Sequence, residues 1–493
     1  MAELTVHSDN GIKKIQFEGA PLLREVLSLE SIYLSQPCGG RGVCGKCAVD
    51  VKGSVSEPDE SEVKAGCRLA CRVRLLGDAE VRLIHGEKSF RIEDTAESSA
   101  AVGTPMPGQY GAAVDIGTTT LVLELFSLTD GRPIGKESMP NPQRSVASDV
   151  MGRISAAMNG GLRELQRQIT DAVSLMLELS CKKAEISRND VSSLVITGNT
   201  TMLYLLTGRD PSCLSHAPFE MDEDFGRHIK LLNADVYLPG CMHAFVGADI
   251  TCAILASGIC EKQRTALLCD IGTNGEIVLW KGGKLYVTST AAGPAFEGAG
   301  ISCGCGSIDG AIDRVRVENG NIIIHTIGNK KAVGLCGSGL IDAVNAYLEL
   351  EEIDETGACE KDKLELAPGV SLLPKDIRAL QLAKAAIAAG IETLLEMSGT
   401  QENEIEELLI AGGFGSHLDI SSAAGIGLFP ESLTGRARSL GNAALAGAAM
   451  LLLDTEKIKR CDETVSLAQH VNLGGNSGFN QCYIDCMMFP ERE

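Results

Sequence analysis

The sequence predicts an α/β protein with a small N-terminal sheet domain and a large body made of two similar lobes. Three observations lead to this prediction. At 493 residues the chain is too long for a single hydrophobic core. Five cysteines lie between residues 38 and 71. The tetrapeptide Asp-Ile-Gly-Thr occurs twice, beginning at Asp115 and at Asp270, each time at the end of an apolar segment.

Charge and hydropathy exclude several classes of partner. Residues 1–88 contain 12 basic and 13 acidic side chains, so nearly all of the net charge of −21 falls on the rest of the chain. Such an acidic body repels nucleic acid and anionic lipid, and we expect neither nucleic acid nor membrane as a partner. The longest apolar run, Ala443–Leu453, is too short to cross a bilayer. The N-terminus lacks a signal-peptide pattern, so we expect a cytoplasmic protein whose 18 cysteines are reduced or bind metal.

Residues 1–88 are predicted to form the first domain. A helical spacing of apolar residues begins at Pro21. Two strands, a helix and further strands around a cysteine loop are the outline of a β-grasp ferredoxin. The strands are predicted from alternating apolar residues at Leu4–His7, Lys14–Phe17, Val49–Val51 and Ala79–Leu83.

The cysteine loop has a spacing that suits an iron–sulfur cluster. Cys38, Cys44, Cys47 and Cys71 form the pattern C-x5-C-x2-C-x23-C. Glycines between the first three cysteines allow positive φ angles, so the loop can wrap one side of a cluster and direct N–H groups at its sulfides. We therefore predict a [2Fe–2S] cluster bound by these four thiolates.

Two alternatives stay open at this loop. Cys67 competes with Cys71 as the fourth ligand, and we prefer Cys71 because Arg68-Leu-Ala-Cys71 resembles the end of the motif in long-spaced [2Fe–2S] ferredoxins. A structural zinc site is the second alternative. Zinc favours two separated Cys-x2-Cys pairs, whereas here one such pair is joined to a third cysteine upstream.

Residues 89–109 are predicted to be a flexible linker. Small, polar and proline residues replace the apolar periodicity in this stretch. We therefore expect the cluster domain to move relative to the body, which comprises residues 110–493.

The body is predicted to have a first lobe at about 110–260, a second at about 261–420, and a return to the first at about 421–493. In both Asp-Ile-Gly-Thr copies an apolar strand ends in Asp and a tight turn leads into another strand. Such a turn offers N–H and hydroxyl donors to a phosphate, and the Asp can hold Mg²⁺ through water. Asp115 and Asp270 are therefore candidate catalytic residues. The candidate phosphate contacts are Gly117, Thr118, Thr119, Thr120, Gly272, Thr273, Asn274 and Gly275.

A third glycine-rich turn follows the apolar segment that begins at Leu408. Its backbone allows a nucleoside to lie close, which makes Gly412, Gly413, Phe414 and Gly415 candidate contacts. Together the three turns resemble the phosphate-1, phosphate-2 and adenosine motifs of the sugar-kinase, heat-shock and actin superfamily. The resemblance implies a duplicated ribonuclease-H-like, actin-like fold that binds ATP and Mg²⁺.

Two helical segments, Val246–Gly258 and Gly441–Ala448, resemble the helices that connect the lobes in this superfamily. Asp249 falls where chaperone ATPases have an acidic residue near the attacking water, so the resemblance implies a water-orienting group or base. A plain carboxylate at a helix N-terminus is the alternative. Asn199 and Thr200 follow another apolar segment and are expected to face the γ-phosphate, with Asn199 as a candidate catalytic residue.

Further motifs leave their roles open. The glycine turn Gly334–Gly339 is equally compatible with a nucleotide or partner contact and with a packing turn. Cys303-Gly-Cys305 and the pair Cys482 and Cys486 have spacings that could bind metal. Related dehydratase activators share a [4Fe–4S] cluster across a dimer. Here the N-terminal domain already supplies a redox centre, so we expect no second cluster.

Several additional segments, combined with the ferredoxin loop and the ATPase motifs, carry a resemblance to one family along nearly the whole chain. The segments are Asn141-Pro-Gln143, Ala217–Glu220, Ala292–Gly298, Asp376–Lys384 and Phe479-Asn480. They resemble the reductive activators of corrinoid proteins. The longer members of that family have a middle domain between ferredoxin and ATPase body, whereas here a short linker leads straight into the first phosphate turn.

The family resemblance implies a function. Corrinoid methyl carriers work as cobalt(I), and oxidation traps them as cobalt(II). The activator returns one electron, with ATP hydrolysis driving the step. The expected partners are a corrinoid protein and an upstream electron donor, and a homodimer is left open. The alternatives are a small-molecule kinase with the same ATP fold and a redox-sensing ATPase whose cluster only regulates hydrolysis.

Overall fold

The computed structural model describes residues 2–8, 11–29, 32, 34, 42, 45, 47–84, 102–413 and 418–492. The described residues form two compact units. One contains those of Met1–Arg91 together with Pro142–Ala156, and the other contains those of Ile92–Asn141 and Ala157–Glu493. Within the first unit, Arg24 Nη1 donates a hydrogen bond of 3.4 Å to the carbonyl oxygen of Ser145. The sequence patterns did not predict that Pro142–Ala156 belongs to this unit.

Strands and helices are numbered in chain order. The strands are β1 (Ala2–Ser8), β2 (Gly11–Phe17), β3 (Ala48–Val55), β4 (Arg68–Leu69), β5 (Leu75–Leu83), β6 (Tyr110–Ile116), β7 (Thr120–Ser127), β8 (Pro133–Pro140), β9 (Val191–Gly198), β10 (Arg227–Leu231), β11 (Ala234–Leu238), β12 (Ala266–Ile271), β13 (Gly275–Lys281), β14 (Lys284–Thr290), β15 (Ala311–Glu318), β16 (Asn321–Thr326), β17 (Gly334–Leu335), β18 (Leu364–Ala367), β19 (Val370–Leu372), β20 (Glu407–Ala411), β21 (Ala437–Gly441) and β22 (Ala468–His470). The helices are α1 (Leu23–Leu29), α2 (Glu60–Ala65), α3 (Val150–Ala156), α4 (Leu162–Lys183), α5 (Thr200–Thr207), α6 (Ala248–Ser257), α7 (Gly337–Glu349), α8 (Pro374–Ser398), α9 (Ile420–Gly425), α10 (Ala443–Leu453), α11 (Lys457–Leu467) and α12 (Ser477–Asp485).

The N-terminal sheet has the order β2-β1-β5-β3-β4 in the described residues. Strands β1 and β2 form an antiparallel hairpin, and β5 lies parallel to β1. The apolar side chains that alternate along these strands point into one core with α1, where Leu4, Leu23 and Val81 are fully buried. The predicted β-grasp arrangement, with its hairpin and its helix, is confirmed.

The body contains the same five-strand pattern twice. In the first copy the order is β8-β7-β6-β9-β11, and in the second it is β14-β13-β12-β20-β21. In each copy the first three strands are antiparallel neighbours, the fourth pairs in parallel with the central strand, and the fifth pairs in parallel with the fourth. The central strands β6 and β12 both end at an Asp-Ile-Gly-Thr turn. The predicted duplicated ribonuclease-H-like fold is confirmed.

Helices α6 and α10 cross at very short range. A Cβ atom at Gly447 in α10 would overlap the carbonyl oxygen of Cys252 in α6, so only glycine fits this crossing. These are the two helices predicted to connect the lobes. Their N-termini carry Asp249 and Asn442, so the crossing sets where both side chains enter the site.

Two boundaries differ from the sequence-based prediction. Residues 102–109 pack on the body: Met106 is 2% exposed, and its N–H donates to Leu452 O at the end of α10. The last carbonyls of a helix lack intrahelical donors, which explains why this segment docks there. The predicted return to the first lobe is also only partial, because β22 pairs with β14 of the second copy. Residues 89–101 of the predicted linker lie outside the described residues.

Candidate functional site

The described part of the cysteine loop brings two predicted ligands together. The Sγ atoms of Cys47 and Cys71 are 3.3 Å apart, and both residues are almost fully buried. Two thiolates at about 2.3 Å from one tetrahedral metal lie roughly 3.8 Å apart, so this pair fits one iron of a cluster. Cys67 is partly exposed, and Cys38 and Cys44 lie outside the described residues.

Backbone hydrogen bonds fix this cysteine pair. The Cys47 carbonyl accepts from the Ala70 N–H at 2.9 Å, which ties the end of the loop to the turn that carries Cys71. Within the loop, Gly42 and Gly45 have φ of +77° and +65°, in the left-handed region that glycine adopts without strain. These two glycines therefore have the positive φ angles that the spacing predicts.

Each of the two phosphate turns is closed by a backbone hydrogen bond, which spans one residue more in the first turn than in the second. The Gly117 N–H donates to Thr120 O at 2.9 Å, and the Gly272 N–H donates to Asn274 O at the same distance. A Cβ atom at Gly117 would lie 2.7 Å from Thr120 O, so the first turn closes too tightly for any other residue. The first turn presents Thr118 and Thr119 at the end of its central strand, and the second turn presents Thr273.

The threonine hydroxyls of these turns are already engaged. Asn199 Nδ2 donates to Thr118 Oγ1 at 2.9 Å. Thr119 Oγ1 and Thr273 Oγ1 donate to the two carboxylate oxygens of Glu297, at 2.6 and 2.7 Å. Thr119 lies in the first lobe and Thr273 in the second, so Glu297 joins the two turns directly.

Four carboxylates around the turns act on one another. Burial, with a smaller effect of the Asp115 charge, raises the pKa of Asp270 to about 7. Burial and then the charges of Asp115 and Asp270 raise the pKa of Asp249 to about 8. Burial also raises the pKa of Glu276, with Asp249 and Asp270 adding to the effect. These side chains would lose much of their mutual repulsion beside a cation.

Such a carboxylate set fits Mg²⁺ in an indirect mode of binding. Among the described residues, no three histidine, cysteine or acidic side chains approach closely enough to form a direct metal-ligand group. Mg²⁺ usually keeps several waters and takes one or two carboxylates together with nucleotide phosphates. The residues present therefore suit a Mg²⁺ that is held by water and by phosphates of ATP.

The third glycine-rich turn and helix α10 each contact one of the two turn aspartates, Asp270 and Asp115. Gly412 has φ +93°, and a Cβ atom there would lie 2.7 Å from Asp270 Oδ1. Asn442 Nδ2 donates to Asp115 Oδ2 at 2.9 Å, while its own Oδ1 caps α10 by accepting from Leu445 N. Gly413 has open space around its Cα, and Phe414 and Gly415 lie outside the described residues.

Some residues predicted to contact the nucleotide form hydrogen bonds with other residues of the protein. Asn199 is the N-cap of α5, where its Oδ1 accepts from Met202 N at 3.0 Å. Thr200 is fully buried and its hydroxyl donates to His243 O, so it presents no free hydroxyl to a phosphate. Thr120 and Gly275 are the first residues of β7 and β13, and Asn274 directly precedes β13.

Three side chains of the site were not singled out by the sequence. Glu297 lies in a segment noted only for family resemblance, and Asn442 lies in a segment noted only as a helix. Glu276 is an acidic residue at the start of a strand that is otherwise apolar, which is a signal that could have found it. The partners of Glu297 and Asn442 are far away in sequence, so no local pattern reveals them.

Two further cysteine motifs, Cys303-Gly-Cys305 and the pair Cys482 and Cys486, lie away from the cysteine loop. Cys305 is buried, and its N–H donates to Leu335 O at 3.0 Å. Cys482 and Cys486 lie one turn apart at the end of α12, with 3.7 Å between their Sγ atoms. Neither pair belongs to a metal-ligand group within the described ranges.

Three family models match successive parts of the chain. The model described as a 2Fe-2S iron-sulfur cluster binding domain matches residues 8–76. The model described as the RACo middle region matches residues 110–262, and the C-terminal domain of RACo, the ASKHA domain, matches residues 264–493. The division at 262–264 falls between the two predicted lobes.

Sequence relatives agree with these matches. The chain is 34% identical over 423 residues to the corrinoid activation enzyme RamQ of Eubacterium limosum, which covers 78% of this chain and 70% of the relative. The chain belongs to the family of corrinoid-activating enzymes. It is also 25% identical over 422 residues to the Co(II) methylated amine-specific corrinoid protein reductase of Methanosarcina barkeri, across 76% of each chain.

A solved family structure has the same fold. The structure titled reductive activator for corrinoid, iron-sulfur protein superposes with a TM-score of 0.73 at 24% identity, over 100% of this chain and 99% of that one. The family match also corrects one expectation. The chain does contain a counterpart of the family's middle region, because the model for that region matches the first lobe itself. No helix in the described part of the chain is long and apolar enough to span a bilayer.

Proposed function

We propose that this family member reductively activates a corrinoid protein by moving one electron from its [2Fe–2S] cluster to cobalt(II), coupled to ATP hydrolysis. One observation carries the proposal. A cluster-binding domain and an ASKHA domain occur in one chain, and that chain shares 34% of 423 aligned positions with an enzyme named for corrinoid activation. The corrinoid protein with its cobalt is the substrate.

The cysteine loop holds the redox centre in this proposal. Cys38, Cys44, Cys47 and Cys71 would supply the four thiolates, and the bound cluster would supply the electron. Cys47 and Cys71 are 1% and 2% exposed, so their side of the loop excludes water. Low solvent exposure is one of the factors that set the potential of such a centre.

The ATPase residues take distinct roles in the proposal. Hydroxyls of Thr118, Thr119 and Thr273 are placed to bind phosphates, and Asp115 and Asp270 to orient the waters of Mg²⁺. We assign Asp249 as the group that orients the attacking water and accepts its proton. Burial and the charges of Asp115 and Asp270 raise its pKa, so its carboxyl group takes up a proton more readily than an ordinary aspartate does.

ATP can drive the electron transfer through differential binding. If the ATP-bound form binds the cobalt(II) protein in a conformation that changes cobalt ligation, the cobalt potential rises. For a one-electron couple, about 59 mV corresponds to about 1.4 kcal/mol, so a few kcal/mol of differential binding gives a useful shift. Because both lobes contribute to the phosphate site, bound ATP can favour one relative arrangement of the lobes over another.

The test is to mix the anaerobically reduced protein, MgATP and a corrinoid methyl carrier in the cobalt(II) state. We expect the absorbance of cobalt(I) to appear, and to be lost in the Cys71→Ser and Asp270→Asn variants. A redox-sensing ATPase would hydrolyse ATP at a rate set by the cluster while no electron leaves. A kinase would instead phosphorylate a small molecule, and either result would overturn the proposal.

A further inference from the structure

One carboxylate connects the two phosphate turns. Glu297 Oε2 accepts from Thr119 Oγ1 at 2.6 Å, and Glu297 Oε1 accepts from Thr273 Oγ1 at 2.7 Å. Glu297 is half-buried and ends a short 3-10 turn that starts at Pro294. The two threonines come from different lobes, so this single side chain spans the place where ATP phosphates are proposed to bind.

The hydrogens that Glu297 accepts are those a phosphate would need. A threonine hydroxyl has one hydrogen to donate, and here both hydroxyl hydrogens go to Glu297. A phosphate oxygen can accept from Thr119 or Thr273 only after it replaces the carboxylate. The phosphate and the carboxylate are also both anionic and repel each other at one pair of donors. Glu297 and the terminal phosphate of ATP therefore exclude one another.

The segment that contains Glu297 packs closely against another part of the second lobe. The next residue, Gly298, has φ +73°, and a Cβ atom there would overlap the backbone of Cys305. The Cys305 N–H donates to Leu335 O, and the Leu335 N–H donates to Cys303 O at 2.9 Å. Leu335 lies two residues before α7. The backbone next to Glu297 is therefore linked through Cys305 to the segment that leads into α7.

We propose that Glu297 is a positioning residue that detects the terminal phosphate of ATP. Without that phosphate it holds the two turns together through Thr119 and Thr273. When ATP binds, the phosphate takes over both hydroxyls and Glu297 is released. The inference rests on the proposed function for the ATP site, and it deepens that function by naming how ATP is distinguished from ADP.

The experiment measures nucleotide affinity of the full chain by calorimetry, with Mg²⁺ and without any corrinoid protein. Glu297→Ala is expected to bind MgATP about tenfold more tightly, the low end of what one charged hydrogen bond is worth. MgADP affinity is expected to change by less than about threefold, since the terminal phosphate is absent. Glu297→Gln should fall between the two proteins, and the exposed Glu318→Gln serves as a matched control that binds as the parent does.

A second pair of variants tests the mechanism. Thr119→Val should weaken MgATP binding more in the Glu297→Ala background than alone, because the hydroxyl is free of the carboxylate only there. Weaker MgATP binding by both Glu297 variants, or equal changes for ATP and ADP, would overturn the inference. Their thermal melting confirms that each variant is folded.

The two proposals fail separately. If the parent protein binds no MgATP, the ATP site itself is wrong. If the affinities change as expected but no cobalt(I) forms with a corrinoid protein, the corrinoid function fails and the role of Glu297 stands.

Discussion

Residues that are distant in sequence meet at both sites of this protein, and the cysteines show it most simply. Cys67 and Cys71 are equally plausible partners for the loop by residue type, but only Cys71 has its sulfur within 3.3 Å of the Cys47 sulfur. This distance supports the choice that the sequence motif suggested. The assignment of all four ligands remains a prediction, because Cys38 and Cys44 lie outside the described residues.

Replacing Cys71 and Cys67 one at a time by serine tests which of them is the fourth ligand. Cys71→Ser is expected to lose most of the bound iron and the visible absorption, because it removes a buried ligand. Cys67→Ser is the matched control and should keep both. Iron content and the absorption spectrum of the anaerobically purified proteins provide the measurement. Loss of the cluster in Cys67→Ser alone would show that the fourth ligand is Cys67, and zinc in place of iron would contradict the cluster itself.

The raised pKa of Asp270 predicts a pH-dependent stability for the metal-free protein. An ordinary aspartate has a pKa of about 4, whereas that of Asp270 is raised to about 7, mainly by burial. Between these values the folded chain holds a proton that the unfolded chain releases. The stability contributed by this group therefore falls as pH rises from about 4 to 7.

Asp270→Asn should remove this dependence. In the presence of a chelator, we expect the stability of the variant relative to the parent to rise by roughly 3–4 kcal/mol between pH 4 and pH 7.5, since each unit of pKa shift is worth about 1.4 kcal/mol. Asp362→Asn, at an exposed position, is the control. Thermal melts across this pH range are the measurement, and an equal effect of both substitutions at every pH would contradict the account.

At the scale of elements, the duplicated turns made the body predictable. A strand that ends in Asp-Ile-Gly-Thr is a local pattern, and its two occurrences fixed the position of β6 and β12 and the two-lobed fold. The contacts of Glu297 and Asn442 with these turns were beyond prediction, because they depend on how separate elements pack. The same reason explains why the partial return of the C-terminal region to the first lobe was not anticipated: β22 pairs with β14, a strand that lies far earlier in the chain.

The positions of the side chains in the ATP site depend most on the crossing of helices α6 and α10. Gly447→Val would place side-chain atoms where the Cys252 carbonyl lies and force the two helices apart. We expect a loss of about 1–3 kcal/mol in stability from this overpacking. Because Asp249 and Asn442 begin these helices, ATP hydrolysis should fall at least about tenfold, the effect of one misplaced catalytic contact.

Gly435→Ala is the matched control, since a Cβ atom there meets nothing within 4 Å. Melting temperature, ATPase rate and iron content should be compared for both variants. The iron content should stay unchanged in each, because the cysteine loop is in a separate unit. A Gly447→Val protein with the parent ATPase rate would show that the crossing does not position the site.

The whole molecule combines a redox centre and an ATP site in separate compact units of one chain. Neither part explains the other alone, since ferredoxins need no ATP and ASKHA ATPases need no cluster. The proposed function therefore requires coupling: the electron leaves the cluster for cobalt only when ATP is bound and hydrolysed.

A single-turnover experiment tests this claim most directly. The reduced protein is mixed with a cobalt(II) corrinoid protein and either MgATP or MgADP, and absorption is followed at wavelengths that report the cluster and the cobalt. With MgATP, we expect cluster oxidation and cobalt(I) formation to occur together in equal amounts, and with MgADP we expect neither. Equal transfer with both nucleotides, or ATP hydrolysis without cluster oxidation, would contradict it.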